Sequence, residues 1–186
     1  MRRLTLAGVL VLFAQVSAGC EEDPVGTTEN IVIQLSGIKE GDIVSGVVEK
    51  SKNVTTESGN PYGAFLQHVR TALGRNPSRI EVTRAEITLD GSSRGVISLQ
   101  DLFAAQVDVY LDADIGGTVP VARVTAPTGM GPVACSVIAT TDSLAPIMDA
   151  LLSGNFRVGV RGATNRLPTD DFDARLDVRI GFAAFE

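Results

Sequence analysis

The sequence predicts an all-β protein: an antiparallel β-sandwich of about eight strands with two short inserted helices. Three observations lead to this fold class. Apolar residues alternate with polar ones in many short runs between residues 31 and 182. Most connections between these runs are of hairpin length, and the chain is rich in Gly, with 19 residues. Only two segments have helical periodicity, too few for a parallel βαβ sheet.

The composition fits one globular domain. The chain has 186 residues, of which 44% are hydrophobic and 20% are charged. This length allows a substantial core. No internal repeat or low-complexity segment divides the sequence.

Three strands are predicted in the first half of the chain. Residues 31–36 form the first, and residues 43–49 form a second that Gly46 weakens. Residues 79–90 form the third, in which the apolar phase changes at Thr83-Arg84. A change of phase within one strand predicts a β-bulge.

Five further alternating runs predict strands in the second half. Residues 176–182 give the clearest of these patterns. Pro120 predicts an edge position for its strand, because proline cannot donate a hydrogen bond to a neighbouring strand. The five runs are residues 107–111, 118–125, 133–140, 156–160 and 176–182.

The two helices have recognisable ends. The first is predicted over residues 61–73, with Asn60 as N-cap and Gly74 just past the end. The second is predicted over residues 143–152, with Asp142 as N-cap and Gly154 as stop. The first helix carries an apolar stripe that includes Phe65, Val69 and Leu73.

The N-terminal segment has a different character. Two arginines at positions 2 and 3 precede an apolar run of 11 residues, 4–14. That run is too short to span a bilayer, which takes roughly 20 residues. It is typical of the hydrophobic part of a secretory signal, which is followed by small residues. We therefore exclude it from the fold.

The residues Ser17-Ala18-Gly19-Cys20 resemble the lipobox of bacterial lipoprotein precursors. The resemblance implies cleavage before Cys20, a diacylglyceryl thioether with fatty acyl chains such as palmitate on its sulfur, and a place in the bacterial cell envelope, in the outer membrane or on the periplasmic face. It covers only the first 20 residues, and Ser17 stands where the family usually has Leu. The alternative is an ordinary secreted protein, cut after Ala18, in which Cys20 is a free thiol or a disulfide partner.

This interpretation divides the chain into three parts. Residues 1–19 are a removed signal peptide, residues 20–29 are the lipidated cysteine with a flexible tether, and residues 30–186 are the sandwich domain. The tether has no apolar periodicity, and ten extended residues would reach roughly 30 Å.

The charge of the mature chain disfavours nucleic acid as a partner. Removal of residues 1–19 lowers the number of basic side chains from 16 to 14 and leaves all 22 acidic ones, so that the formal charge moves from −6 to −8. Such a domain does not neutralise phosphates, and the lipid on Cys20 must provide the membrane attachment. A protein in the envelope is the expected partner.

Residues suited to catalysis or metal binding are few. His68 is the only histidine, and we expect it to be structural. With Cys20 acylated, Cys135 stands alone and is expected to be buried as a small apolar residue. One histidine and one cysteine cannot build a zinc site, and no cofactor is expected.

Two acidic stretches are weak candidates for a metal site. If the loops that carry them lie at one end of the sandwich, their carboxylates could hold Ca²⁺, or serve a carboxylate-based hydrolase. Aspartate is also common in turns for purely structural reasons. The residues are Asp108, Asp112 and Asp114 in the first stretch and Asp170, Asp171 and Asp173 in the second.

Three functions follow, in order of preference. The first is a non-catalytic interaction or structural module, which predicts an exposed edge strand around Pro120 or an apolar surface patch. The second is a carrier of a lipid or other apolar molecule, with a pocket lined by Phe65, Val69 and Leu73. The third is an enzyme or calcium-dependent binder that uses the acidic side chains.

Overall fold

The computed structural model describes residues 22–54, 61–167 and 169–186, and it confirms the predicted antiparallel β-sandwich. Nine strands lie in this part of the chain, and each pairs antiparallel with its neighbours. They are β1 (Gly26–Ile38), β2 (Ile43–Val44), β3 (Val47–Val54), β4 (Arg79–Leu89), β5 (Gln106–Ala113), β6 (Gly117–Thr125), β7 (Val133–Val137), β8 (Phe156–Ala163) and β9 (Ala174–Phe185).

Helices are short and lie between the strands. α1 is the longest, with 13 residues. The helices are α1 (Pro61–Leu73), α2 (Leu99–Leu102), α3 (Thr141–Leu144) and α4 (Met148–Ser153), with 3₁₀ turns at Glu40–Asp42 and Ala145–Ile147.

The strands form two layers that β7 joins along one side. One layer has the order β1-β9-β4 and the other has the order β6-β5-β8-β3-β2. The first residues of β7 pair with β4, as Cys135 does with Ala85, and its last two residues pair with β6, as Val137 does with Ala122. β7 therefore crosses from one layer to the other.

The core lies between the layers and is made by the inward residues of each strand. The predicted alternation in β9 is confirmed, because Leu176, Val178, Ile180 and Phe182 are fully buried. Burial on this scale is the main stabilising contribution to such a fold. The strand with the clearest sequence pattern lies between β1 and β4.

The two ends of the sandwich differ. We call one the helical end: the starts of β1, β4 and β8 and the ends of β5 and β9 meet there, and α1, α3 and α4 cover it. We call the other the loop end: it carries the Ser45-Gly46 turn and the loops of residues 90–98, 126–132 and 164–173. β5 runs from the loop end to the helical end.

Several local predictions are confirmed. The register between β4 and β9 shifts between Val82 and Arg84, where the sequence predicts a bulge. The predicted edge position is wrong for the strand that carries Pro120, because β6 lies between β5 and β7. Pro120 pairs with Tyr110 of β5, and the pairing with β7 is limited to residues 122 and 123 of β6. α1 has the predicted bounds, and Gly74 follows it with a φ of +68°. Asn60, the predicted N-cap, lies outside the described residues.

The predicted strand over residues 43–49 is wrong in one respect: it is a hairpin. Ser45 and Gly46 have φ angles of +52° and +76° and form a tight turn between β2 and β3. Two successive positive φ angles are typical of the hairpin turn that matches strand twist. Gly46 therefore ends one strand and starts the next.

The second helix is interrupted. It divides into α3, a 3₁₀ turn and α4, because Pro146 has no N–H to continue an α-helical hydrogen-bond pattern. The N-cap is Thr140 rather than Asp142, and its hydroxyl accepts a hydrogen bond from the Ser143 N–H at 3.2 Å. Gly154 ends α4 as predicted, with a φ of +77°.

β1 begins at Gly26, before the predicted boundary between tether and domain at residue 30. Gly26 pairs with Ala184 of β9, and the Val25 N–H donates to the Ala184 carbonyl at 2.8 Å. Residues 26–29, expected in the tether, therefore belong to the sheet. The sequence does not reveal this, because Thr27 and Thr28 lie on a half-exposed edge and show no apolar alternation.

Candidate functional site

The loop end carries four exposed apolar side chains. One of them, Val44, lies at the end of β2, and the other three lie in loops. The exposed fraction is 82% for Ile97, 70% for Val44, 60% for Leu167 and 44% for Met130. Exposed apolar residues that cluster at one end of a domain are typical of an interaction surface. We call these four residues the apolar loop patch.

Hydrogen bonds join the loops that carry this patch. The Thr164 N–H donates to the Gly46 carbonyl at 2.9 Å, and the Leu99 N–H donates to the Gly129 carbonyl at 2.7 Å. The Arg166 guanidinium donates to the carbonyls of Gly95 and Asp101. Each loop is therefore fixed to at least one of its neighbours.

Ile97 and Leu167 lie on either side of these Arg166 contacts. The Ile97 N–H donates to the Asp101 carboxylate at 3.1 Å, and Val96, the residue before it, is buried. The Asp101 carboxylate also accepts a hydrogen bond from Ser98, which is the main reason its pKa is lowered. The backbone that presents Ile97 is thus joined to α2 by a hydrogen bond and anchored by the buried Val96 side chain.

A buried aromatic ring supports the same loops. Phe172 is buried, and the Arg166 guanidinium lies 5.5 Å from its ring centroid. Gly95 has a φ of +69°, and a Cβ at this position would lie 2.7 Å from the Asp171 carbonyl oxygen. Only glycine allows this close approach of the two loops.

The outer face of the β6-β5-β8-β3 layer carries rows of arginine and carboxylate side chains. One row pairs Glu49 with Arg161, Arg161 with Asp108, and Asp108 with Arg123 across four strands. The Arg123 Nε to Asp108 Oδ1 distance is 2.7 Å, and the Arg161 Nε to Glu49 Oε2 distance is 3.8 Å. The sequence contains 13 arginines, and this row gives two of them a role.

A second row lies nearer the helical end. Arg157 lies 2.6 Å from the Asp112 carboxylate and 3.1 Å from the Asp114 carboxylate. The pKa of Asp112 is lowered, first by the hydrogen bond from the Thr118 hydroxyl and then by Arg157. A carboxyl held ionised in this way serves cross-strand pairing and is not suited to act as a general acid.

The two acidic stretches do not converge, so the condition for a calcium or hydrolase site that uses both is not met. Asp112 and Asp114 lie at the helical end, whereas Asp170 and Asp173 lie at the loop end, because β5 runs the whole length of the sandwich. Its eight residues span about 23 Å, which is seven steps of roughly 3.3 Å.

The acidic side chains that are candidate ligands are engaged locally instead. Asp108 and Asp112 are paired with arginines, Asp173 lies 3.4 Å from Arg94, and Asp170 accepts a hydrogen bond from the Leu167 N–H. Asp171 is exposed next to Phe172. Within residues 22–54, 61–167 and 169–186, no three histidine, cysteine or carboxylate side chains are grouped as a metal would require.

The apolar stripe of α1 packs into the core. Val69 is fully buried and Phe65 nearly so, whereas Leu73 is half-buried at the margin. The Phe65 ring contacts Tyr62, whose ring lies 4.9 Å from Phe156 and from Phe182. These side chains fill the space beneath α1.

The single histidine and the second cysteine occupy different environments. His68 is exposed on α1. Cys135 is buried, as predicted, and burial raises the pKa of its thiol to about 11. Cys20, the candidate lipidation site, lies outside the described residues. In the part of the chain that the structure describes, no helix has the length and apolar character needed to cross a membrane.

Sequence reasoning missed the apolar loop patch, although a signal was present. Leu167 stands alone between Asn165-Arg166 and Pro168, outside any alternating run, whereas Ile97 directly follows Val96 and gives no such signal. An isolated large apolar residue in a turn segment has no strand face to occupy, so it must fold back into the core or remain exposed.

Comparison with known proteins gives little further information. No protein-family model matches the sequence, and no curated protein matches it. A chain in the solved structure of Cocksfoot mottle virus is 12% identical, with a TM-score of 0.34, over 100% of this chain and 94% of that one. A chain of empty Turnip yellow mosaic virus heads is 13% identical, with a TM-score of 0.23, over 100% of this chain and 90% of that one. Likeness at this level says nothing about the function of the chain.

Proposed function

We propose that the chain is a bacterial cell-envelope lipoprotein, anchored through Cys20, whose sandwich is a non-catalytic module that binds another protein with its loop end. One observation carries the binding role: Ile97 and Leu167 are 82% and 60% exposed on loops that hydrogen bonds hold in place. The anchor is supported by the lipobox-like residues before Cys20.

An apolar surface on a fixed backbone suits protein binding for a physical reason. The free energy gained by burying large apolar side chains in an interface is reduced by any loop ordering that binding requires. Loops already joined through Arg166 require little ordering. A few apolar residues at the centre of an interface commonly provide most of the affinity.

Two further observations favour this function over the alternatives of a carrier and an enzyme. Phe65 and Val69 fill the space in which a carrier would hold its apolar cargo. The carboxyls of Asp108 and Asp112 are paired with arginines, whereas an enzyme needs a carboxyl that can exchange protons near neutral pH.

Co-purification from native membranes, with chemical crosslinking and mass spectrometry, tests the binding role. We expect Ile97→Asp and Leu167→Asp each to reduce recovery of the partner about tenfold, which corresponds to the loss of roughly 1.4 kcal/mol at a central interface residue. Val32→Asp is the matched control, because Val32 is 43% exposed on the outer face of β1, away from both ends. Equal recovery with all three variants would contradict the proposed surface.

The anchor is tested separately. We expect intact-mass analysis of the native protein to show a mature N-terminus at Cys20 with added acyl chains. Cys20→Ala should move the protein from the membrane to the soluble fraction. An unmodified Cys20 sulfur would contradict the anchor and leave the loop-end binding role to be judged by its own test.

A further inference from the structure

The first described residues, from Glu22 onward, contact the helical end of the sandwich. Arg79 at the start of β4 lies 3.3 Å from the Glu22 carboxylate, and the Val25 N–H donates to Ala184 at the end of β9. Glu22, Asp23 and Pro24 also line a cleft with Arg79 and Phe185. The N-terminal segment therefore leaves the domain at this end.

Covalent geometry then limits the distance between domain and lipid. One residue separates Cys20 from Glu22, so their Cα atoms are at most about 7.6 Å apart. If the exposed Glu22 contact opens, the six steps from the Cα of Cys20 to that of Gly26, where β1 starts, reach at most about 22 Å. This reach does not exceed the roughly 23 Å length of β5.

The helical end also presents an apolar side chain of its own. Ile115, at the tip of the β5–β6 turn, is 86% exposed. The turn packs closely against the 3₁₀ turn before α4. A Cβ on Gly116 would lie only 2.0 Å from the Pro146 carbonyl oxygen. Ile115 therefore projects from a fixed turn on the same end as Glu22.

We infer that the anchored protein stands on a zwitterionic phospholipid surface with its helical end, that Ile115 contacts the headgroup region, and that the apolar loop patch points away from the membrane. This inference rests on the proposed anchor at Cys20. Apolar side chains at the interface gain free energy from partial burial among headgroups. The loop end is then free to meet a partner in the aqueous compartment.

The charge of the helical end specifies which lipids it fits. Exposed carboxylates surround the Glu22 and Ile115 positions, and they are repelled by anionic headgroups over about 10 Å at moderate salt. A zwitterionic surface has no such repulsion. The exposed carboxylates are those of Asp23, Asp142 and Asp149, together with Glu22 and Asp114, which are paired with Arg79 and Arg157.

Tryptophan fluorescence tests this orientation, because the natural chain contains no Trp. Ile115→Trp and Ile97→Trp place the same fluorophore at two similarly exposed positions, one at each end. The mature chain, from Cys20 onward, is coupled through Cys20 to a maleimide lipid in phosphatidylcholine vesicles. The buried Cys135 thiol reacts slowly, so coupling occurs at Cys20.

We expect brominated phosphatidylcholine to quench Ile115→Trp emission, with a shift to shorter wavelength, and to leave Ile97→Trp emission unchanged. Insertion of ten Gly/Ser residues after Cys20 should abolish the quenching of Ile115→Trp, and replacement of phosphatidylcholine by phosphatidylglycerol should weaken it. Equal quenching of the two variants, quenching of Ile97→Trp alone or quenching of neither would overturn the orientation.

The chemical coupling keeps this test separate from that of the anchor. Vesicle-coupled protein carries a lipid on Cys20 whether or not cells attach one. Failure of the quenching experiment therefore contradicts the orientation alone, whereas an unmodified Cys20 in the native protein contradicts the anchor on which the orientation depends.

Discussion

Tyr62 connects α1 to both layers of the sandwich, and its replacement should weaken the helical end. Its side chain is fully buried, its ring lies 4.9 Å from the rings of Phe156 of β8 and Phe182 of β9, and its hydroxyl donates to the Leu151 carbonyl of α4 at 2.9 Å. Two substitutions separate the ring from the hydroxyl. Tyr62→Phe keeps the ring, and Tyr62→Ala removes both.

The two losses differ in size. Tyr62→Phe removes hydrogen bonding of the hydroxyl, which corresponds to about 1 kcal/mol of unfolding free energy. Tyr62→Ala also leaves a cavity among the aromatic rings, so that the loss rises to about 3–5 kcal/mol. At roughly 2–4 °C per kcal/mol for a domain of this size, Tyr62→Ala should lower the Tm by about 10 °C.

Urea and thermal unfolding followed by circular dichroism measure both values. Similar losses for Tyr62→Phe and Tyr62→Ala would show that the ring contributes little and would refute the packing argument. A loss below about 1 kcal/mol for Tyr62→Ala would show the same for the whole side chain, since complete burial of an aromatic residue implies more.

The same residue predicts a dependence on alkaline pH. Burial raises the pKa of the Tyr62 phenol well above its ordinary range, so the folded state holds the neutral form. The unfolded chain ionises near pH 10, and the stability contributed by this group is complete below that pH and is lost as pH rises above it. Tyr62→Phe should therefore lose less stability above pH 10 than the natural chain does.

Three further predictions concern other parts of the fold. Asp112→Asn should lower the unfolding free energy by up to about 1 kcal/mol at pH 7. It should also reduce the loss of stability that occurs as pH falls through the lowered pKa of Asp112. Asp114→Asn is the control, because the Asp114 side chain is 83% exposed, and an equal effect there would contradict the pairing argument. Gly159→Ala should destabilise the fold by about 1–3 kcal/mol, because the new Cβ would lie 2.3 Å from the Tyr110 ring. Gly41→Ala is the control: its Cβ would meet no atom within 4 Å, so this variant should be neutral in urea unfolding. In the unlipidated mature chain, a thiol reagent should modify Cys135 only after denaturation, because the thiol is buried and its pKa is raised to about 11; rapid modification of both cysteines in the folded protein would contradict this.

The strands and their local irregularities could be predicted because their causes are local. The alternation in residues 176–182 depends only on which side chains face one layer of core, and the change of phase at Thr83-Arg84 predicts the bulge that separates Val82 from Arg84 in the register with β9. The bounds of α1 follow from Pro61 and Gly74, which act on the adjacent backbone.

The sequence alone could not show which distant segments meet. Whether Asp112 and Asp173 share an end depends on the direction of β5 between them, and this direction is set by strand pairing over the whole sheet. The same holds for the arginine rows, because each pair joins side chains that are far apart in sequence and adjacent only across strands.

Composition and spacing along the chain thus determined the fold class, most of the strands and the lipobox-like segment before Cys20. Tertiary structure alone decided that the chain joins the sheet at Gly26, that Ile97 and Leu167 share one end, and that Ile115 lies at the other. The physical reason is that side-chain alternation depends on burial within a single strand. The placement of loops and ends depends on pairing between strands that are far apart in the sequence, and the residues of one strand do not specify that pairing.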